Sequence, residues 1–338
     1  MRGQPSGGKQ TWHDGRVARL VECVPNFSEG RRLEVVDRLA EAVARTPGAL
    51  LLDRTSDASH NRSVLTLAGE ADAVVKAMER LVEVAVGEID MERQTGEHPR
   101  IGAVDVIPFV PLGETTLDEC IQLARDFGAR IATRFDLPVY LYASAATRSD
   151  RIKLADVRRG QYEGLKVEIG HDGRQPDFGP TRMHPSAGAV AVGARPFLIA
   201  YNINLDSTDI ELARRISRRV RESGGGLPRL QAMGVALDQP HCAQVSMNVL
   251  DFSVTPLWLV WDTVRREAAG DGIELLESEL IGLCPLAAFL DVADHAGFDS
   301  AAAVDERCAA AAGYLHLRDF SPMQVLELRL EAAQRGEG

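Results

Sequence analysis

The chain has 338 residues, 45% of them apolar and 26% charged, the balance of a soluble globular protein long enough for two domains of ordinary size. A formal charge of −11, from 38 basic and 49 acidic residues, excludes the net basic surface that sequence-independent nucleic-acid binding needs, and no apolar stretch is long enough to span a bilayer. Five cysteines, odd in number, widely spaced and mostly in apolar surroundings, read as buried thiols and not as a disulfide framework or zinc knuckle.

Residues 1–17, opening with MRGQPSGGKQTWHDGR, are polar and glycine-rich and lack the apolar segment of a signal peptide. They predict a disordered leader and cytoplasmic residence. RLVECVPNFSEG then reads as a strand closed by a polar turn, and RRLEVVDRLAEAVARTPG as a helix with a Pro-Gly stop. Two short strands, ALLLDRTSD and SVLTLAGE, are joined by ASHNR and followed by the helical ADAVVKAMERLVEVAVGEID. The strand AVDVIPFVPL, the helix TLDECIQLARDFGARIATRF and the strand PVYLYASA complete the first part.

A Gly- and Pro-rich segment, QPDFGPTRMHPSAGAVAVGARP, carries no helical stripe and reads as a linker or a binding loop. Beyond it the order returns: strand FLIAYNINL, helix DIELARRISRRVRES, strands QAMGVALD and CAQVSMNVLD, helix PLWLVWDTVRREAA and strand ELLESELIGL. The apolar LWLVW suits either a core or a partner, which leaves a homodimer open. Two rounds of one order predict an α/β (α+β) protein of two similar subdomains, residues 18–178 and 179–338, the second with a helical tail. Each is expected to be a mostly antiparallel sheet with helices on one face, a duplicated, ferredoxin-like βαββαβ, with a ligand groove between them. A doubly wound dinucleotide fold is disfavoured, since PNFSEG stands where a G-x-G-x-x-G would follow the first strand.

The candidate chemistry centres on QTGEHPR, between the second helix and the strand after it. Pro99 restricts His98 to extended conformations, and a loop histidine between rigid elements is placed to move a proton on a bound ligand; a solvated surface histidine is the alternative. In ECVPNFSEGRR, Asn26 and Ser28 precede a helix start that would receive a carboxylate, unless Ser28 simply caps that helix. In DASHNRSV, Arg62 stands before a buried strand, a place for a carboxylate anchor, although Asn and Asp gather in such turns for conformational reasons alone. The histidines are dispersed without an i, i+4 pair or Cys-x-x-Cys partner, so no metal site is expected.

The motifs VECVPNFSEG, NRSV, IDMERQTGEHPRIGAVDVIPFVP, PVYLYASAA, PDFGP, GAVAVGARPFLIAYNINL and QVSMNVLDF, in this order, resemble the formiminotransferase domain family from about Leu20 to Leu290. The resemblance implies transfer of a formimino group from N-formimino-L-glutamate to N5 of tetrahydrofolate, a co-substrate bound between two α/β subdomains, in histidine breakdown and one-carbon metabolism. It implies that His98 is catalytic. It also implies that tetrahydrofolate meets the loop Gly179, Pro180, Thr181, Arg182, Met183, His184, Pro185, Ser186, Ala187 and Gly188. Animal members carry an aromatic residue where this chain has Ala187, and they continue into a cyclodeaminase domain whose ring-closing activity is not expected here. Within that frame, Arg62 and Arg100 are candidates for glutamate carboxylates, and Asn26, Asn202 and Asn204 for the pterin or amidine. Formyl transfer from N-formylglutamate, or folate binding without catalysis, are the alternatives.

Overall fold

The computed structural model describes residues 19–336; the leader expected over residues 1–17 lies outside them. The chain divides between Arg195 and Pro196 into two compact units. In the first, β1 (Arg19–Cys23) and β2 (Asn26–Phe27) are two pieces of one extended run broken at Pro25, which has no N–H to give a ladder. Then follow α1 (Leu33–Ala44), β3 (Ala49–Asp57), β4 (Arg62–Glu70), α2 (Ala71–Glu88), β5 (Val104–Gly113), α3 (Leu117–Phe135) and β6 (Val139–Ala143). The short helices α4 (Leu154–Val157) and α5 (Gln161–Glu168) come before β7 (Val190–Ala194).

Strands β1 and β2 lie between β4 and β5, and β3 borders β4; these pairings are antiparallel, whereas β5, β7 and β6 run parallel. The core follows the two periodicities. Val35, Val36, Leu39 and Val43 of α1 and Val74, Met78, Leu81 and Ala85 of α2 join the alternating Leu65 and Leu67 of β4 and Ile107 and Phe109 of β5. Thr116 opens α3 with a reciprocal capping box to Glu119.

Two expectations are corrected here. Helices are not confined to one face of the first sheet: Val106, Tyr140, Tyr142, Ala189 and Ala191 form an apolar patch with Val157, Leu165 and Ile169 from the α4–α5 segment. Parallel strands are apolar on both sides and need both covered. The division also falls later than 178/179, because β7 pairs with β5 and β6, with Ala191 opposite Val106 and Val190 opposite Val139. A five-residue strand with a glycine inside it leaves too short a pattern to separate from a loop.

The second unit holds β8 (Ile199–Leu205), α6 (Ile210–Val220), β9 (Leu230–Leu237), β10 (Cys242–Val249), α7 (Leu257–Gly270) and β11 (Leu275–Ile281). Its antiparallel sheet has the order β11-β8-β10-β9, fourth-first-third-second along the unit. The first unit shows the same order in β5, β1/β2, β4 and β3. Helices α8 (Leu286–His295) and α9 (Val304–Tyr314) add Phe289, Val292, Cys308 and Ala311 to the second core, Leu328 of α10 (Leu326–Arg335) packs against it, and Leu257, Val260 and Trp261 of the LWLVW run are buried in it. All five cysteines are buried and unpaired. Among the described residues no helix is long and apolar enough to cross a membrane.

Candidate functional site

The site begins with a fault in a strand. One step along β2, from Asn26 to Phe27, corresponds to two along β5, from Val106 to Val104, so Asp105 is the extra residue of a β-bulge. Bulges re-aim side chains. Asp105, only 1% exposed, uses Oδ1 to accept a hydrogen bond from the Ile101 amide at 2.8 Å and Oδ2 to accept one from Arg158 Nη2. A carboxylate this deep requires such partners.

His98 lies in the loop between α2 and β5, and its Nε2 is 3.9 Å from Asp105 Oδ2, beyond hydrogen-bond range. The imidazole is 18% exposed, yet Nε2 is buried without a hydrogen-bond partner. Burial, then the positive fields of Arg62, Arg158, His60 and Arg100, push the imidazole down to about 3, so it is neutral at physiological pH. A neutral ring with an unmet buried nitrogen leaves one hydrogen-bonding position at Nε2 unfilled.

The loop that carries it is held on three sides. Gln94 Nε2 donates to the Asn61 carbonyl at 3.1 Å, and Asn61 Nδ2 donates to the Thr95 carbonyl at 2.9 Å. Ser28 donates through Oγ to the Gly102 carbonyl at 2.7 Å and through its amide to Ala103 at 2.9 Å; it therefore does not cap α1, whose flanking amides at Arg31 and Arg32 are accepted by Glu29. The Met91 amide donates to the Ser186 carbonyl at 2.7 Å, and the Ala103 amide to the Ala187 carbonyl at 2.8 Å. The 179–188 loop thereby braces both ends of the histidine segment.

That loop turns on itself at His184 and Gly188, whose backbones bond reciprocally, while His184 Nδ1 accepts the Ala187 amide at 3.0 Å. Gly188 has φ +73°, and a Cβ there would lie 2.6 Å from the Ile101 carbonyl, so only glycine fits. Ala187 is 2% exposed and belongs to the first core. Arg182 is exposed and paired with Asp136 at 2.6 Å. Met183 packs partly against the core.

Arg62 is joined to the site through Asn26, whose Oδ1 accepts from both Nε, at 2.8 Å, and Nη2. Burial, and then repulsion from Arg158, lower its hold on its proton. Gly30 keeps this corner closed: a Cβ would come within 2.3 Å of the Asp57 carbonyl and 2.6 Å of the Arg62 amide. Arg100, by contrast, is committed internally. Its guanidinium donates to Gln94 at 2.8 Å and to both oxygens of Glu163 at 2.8 and 3.0 Å, which makes it a brace for the loop instead of a free carboxylate receptor.

Asn202 and Asn204 lie in the second unit, on the side of β8 opposite Tyr201 and Ile203. Asn202 donates to Glu279 at 3.1 Å and Asn204 to Glu277 at 3.0 Å, while Gln244 donates to Asn204 and Glu279 at 2.9 Å. Arg318 closes the network on both carboxylates.

Sequence reasoning missed Asp105 and Arg158. The signal for Asp105 was present, as the single charge inside AVDVIPFVPL; Arg158 sits in a polar stretch where nothing distinguishes it. A cavity of about 270 Å³ is lined by Tyr140, Arg151, Arg159 and Arg174, but Arg151 is paired with Asp177, and Arg174 with Glu168 at 3.0 Å. Among the described residues no group of three His, Cys, Asp or Glu side chains is arranged to hold a metal.

Comparison with known proteins bears on this geometry. The N-terminal subdomain of the formiminotransferase domain matches residues 20–195, and the formiminotransferase domain matches residues 200–320. The chain is 44% identical over 279 residues to the glutamate formimidoyltransferase of Streptococcus pyogenes serotype M1, covering 82% of this chain and 93% of that protein. It is 41% identical over 320 residues to the glutamate formimidoyltransferase of Thermoplasma acidophilum, covering 94% and 99%. To the formimidoyltransferase-cyclodeaminase of Sus scrofa it is 47% identical over 283 residues, which cover 82% of this chain and 52% of that one.

Proposed function

The chain belongs to the formiminotransferase domain family, and from that premise we propose that it transfers the formimino group of N-formimino-L-glutamate to N5 of tetrahydrofolate, releasing L-glutamate. The observation that carries the mechanism is the buried, unpartnered Nε2 of a neutral His98. Attack by N5 on the amidine carbon builds a tetrahedral adduct and leaves a proton on the attacking nitrogen. The adduct collapses toward product only when the glutamate nitrogen leaves as a neutral amine, which requires a proton on it. His98 takes the first proton and supplies the second, one group serving both steps. Asp105, close by but outside bonding distance, steadies the transient imidazolium.

On this reading the 179–188 loop receives the folate, and Arg62 and Asn26 receive polar groups of the substrates. Arg100 holds Gln94 in place and is no longer assigned to a carboxylate.

The test is steady-state release of glutamate from N-formimino-L-glutamate with and without tetrahydrofolate, beside purified His98→Gln. Release is expected only with folate, and the variant should lose ~10²–10⁴ in kcat while its circular dichroism is unchanged. A folded wild-type protein that binds folate but releases no glutamate would rule the transfer out; a fully active variant would rule out the role of His98.

A further inference from the structure

Arg158 is not used by the mechanism above, and its surroundings are unusual. Its side chain is 15% exposed, and one terminal nitrogen, Nη2, is bonded to Asp105. Its Nε is buried with no hydrogen-bond partner, the second such nitrogen in this neighbourhood after His98 Nε2. Buried N–H donors are almost always satisfied, and one left open beside a reactive histidine marks where a ligand's acceptor belongs. Arg62 is close enough for the two guanidiniums to repel, and its own hydrogen bonds go to the neutral oxygen of Asn26. Asp105 is bonded between Arg158 and the Ile101 amide, and Asp57, the other carboxylate whose field reaches Arg62, is half-exposed and bonded to Ser59 and His60, so the buried part of the cluster sets two guanidiniums against one carboxylate within a chain of net charge −11. Such an excess favours an anion, and a guanidinium with an unmet N–H favours a carboxylate.

We propose that Arg158, held by Asp105, binds a glutamyl carboxylate of the substrate pair. The proposal rests on the transfer reading and deepens it. The carboxylate belongs either to the N-formimino-glutamate donor or to the glutamyl tail of folate, which share this chemistry.

A consequence concerns the proton. Arg62 on β4, Arg158 after α4, Arg100 in the histidine loop and His60 in the β3–β4 turn weaken the hold of His98 on a proton, with Asp105 on β5 opposing them. A carboxylate arriving at the two arginines offsets part of that positive field. The anionic substrate thus makes His98 a stronger base once it is bound, and a weak one before.

The test compares wild type with Arg158→Gln and Arg158→Lys, the lysine keeping charge next to Asp105 where the glutamine variant fails to fold. KM is measured separately for N-formimino-L-glutamate, tetrahydrofolate and tetrahydropteroate, which lacks the tail, and the His98 imidazole is titrated by NMR with and without glutamate. Loss of one charged hydrogen-bonding partner should raise one KM about ten- to a hundredfold. A rise for the donor assigns the carboxylate to glutamate; a rise for tetrahydrofolate but not tetrahydropteroate assigns it to the tail. Either supports the proposal, as does an upward move of the His98 titration on adding glutamate to wild type that is lost in the variants. Unchanged KM values for all three compounds in folded, active variants would overturn it while leaving the transfer reading intact; absence of folate-dependent release in the wild type would overturn that reading itself.

Discussion

The two sheets share an order of strands but treat their polar residues in opposite ways. In the second unit, Asn202, Asn204, Gln244, Glu277 and Glu279 form one network, and Arg318 closes it by bonding both carboxylates with one shared charge. In the first, the polar cluster at the β2–β5 bulge is left open: His98 Nε2 and Arg158 Nε are buried without partners, and Arg62 and Arg158 repel. A closed network specifies a structure; an open one stores binding energy for a ligand. The difference arises from a single extra residue. Without the bulge, strand alternation would carry Asp105 to the face of Val104 or of Val106, into one apolar cluster or the other.

The largest effect that sharpens this comparison is expected from Asp105→Asn. The pair with Arg158 is buried, and removing the negative partner leaves a guanidinium without its counter-charge, at a cost of about 3–5 kcal/mol. Urea denaturation followed by circular dichroism measures it. Because Asp105 is 1% and Arg158 15% exposed, the loss should depend little on salt. A loss below about 1 kcal/mol would mean that the open cluster is no more strained than an exposed ion pair.

An effect confined to acidic pH follows from His98. Its folded-state affinity for protons is depressed to about 3, against about 6.5 for the unfolded chain, so the unfolded state takes up a proton first as pH falls. The contribution of the neutral ring to stability is complete above pH ~6.5 and is lost as pH falls toward 3, at up to about 1.4 kcal/mol per pH unit. His98→Gln lacks this loss and should therefore gain on wild type with acidification. Parallel stability curves for the two proteins between pH 7 and 4 would show that the ring is not held neutral by its surroundings.

How much of this was legible in the sequence depends on what each residue requires of its neighbours. The element order, and the placing of His98 between the second helix and the following strand, came from periodicity, which is local. Arg100 looked free because its partner Glu163 lies in α5, far along the chain. Ser28 looked like a helix cap because the helix start is adjacent, whereas its actual acceptor, the Gly102 carbonyl, is across the sheet. Asp105, a lone charge in an apolar strand, carried a signal that the motifs alone did not pick out. Arg158 did not, since only the bulge and the packing of α4 give it a buried partner.

The mildest of these changes is expected from Arg318→Met in the closed network. Glu277 and Glu279 are two residues apart on β11 and face the same side, so without the guanidinium two carboxylates confront each other. Arg318 is 34% exposed and the carboxylates 30% and 18%, and water moderates both the attraction lost and the repulsion gained. A loss of about 1 kcal/mol is expected at low ionic strength, from two half-exposed pairs. It should shrink in 1 M salt, where screening acts within ~3 Å, whereas the deficit of Asp105→Asn should not. The contrast in salt response separates the two sheets more sharply than either stability value: one charge cluster is half-exposed and satisfied, the other mostly buried with two nitrogens that lack partners.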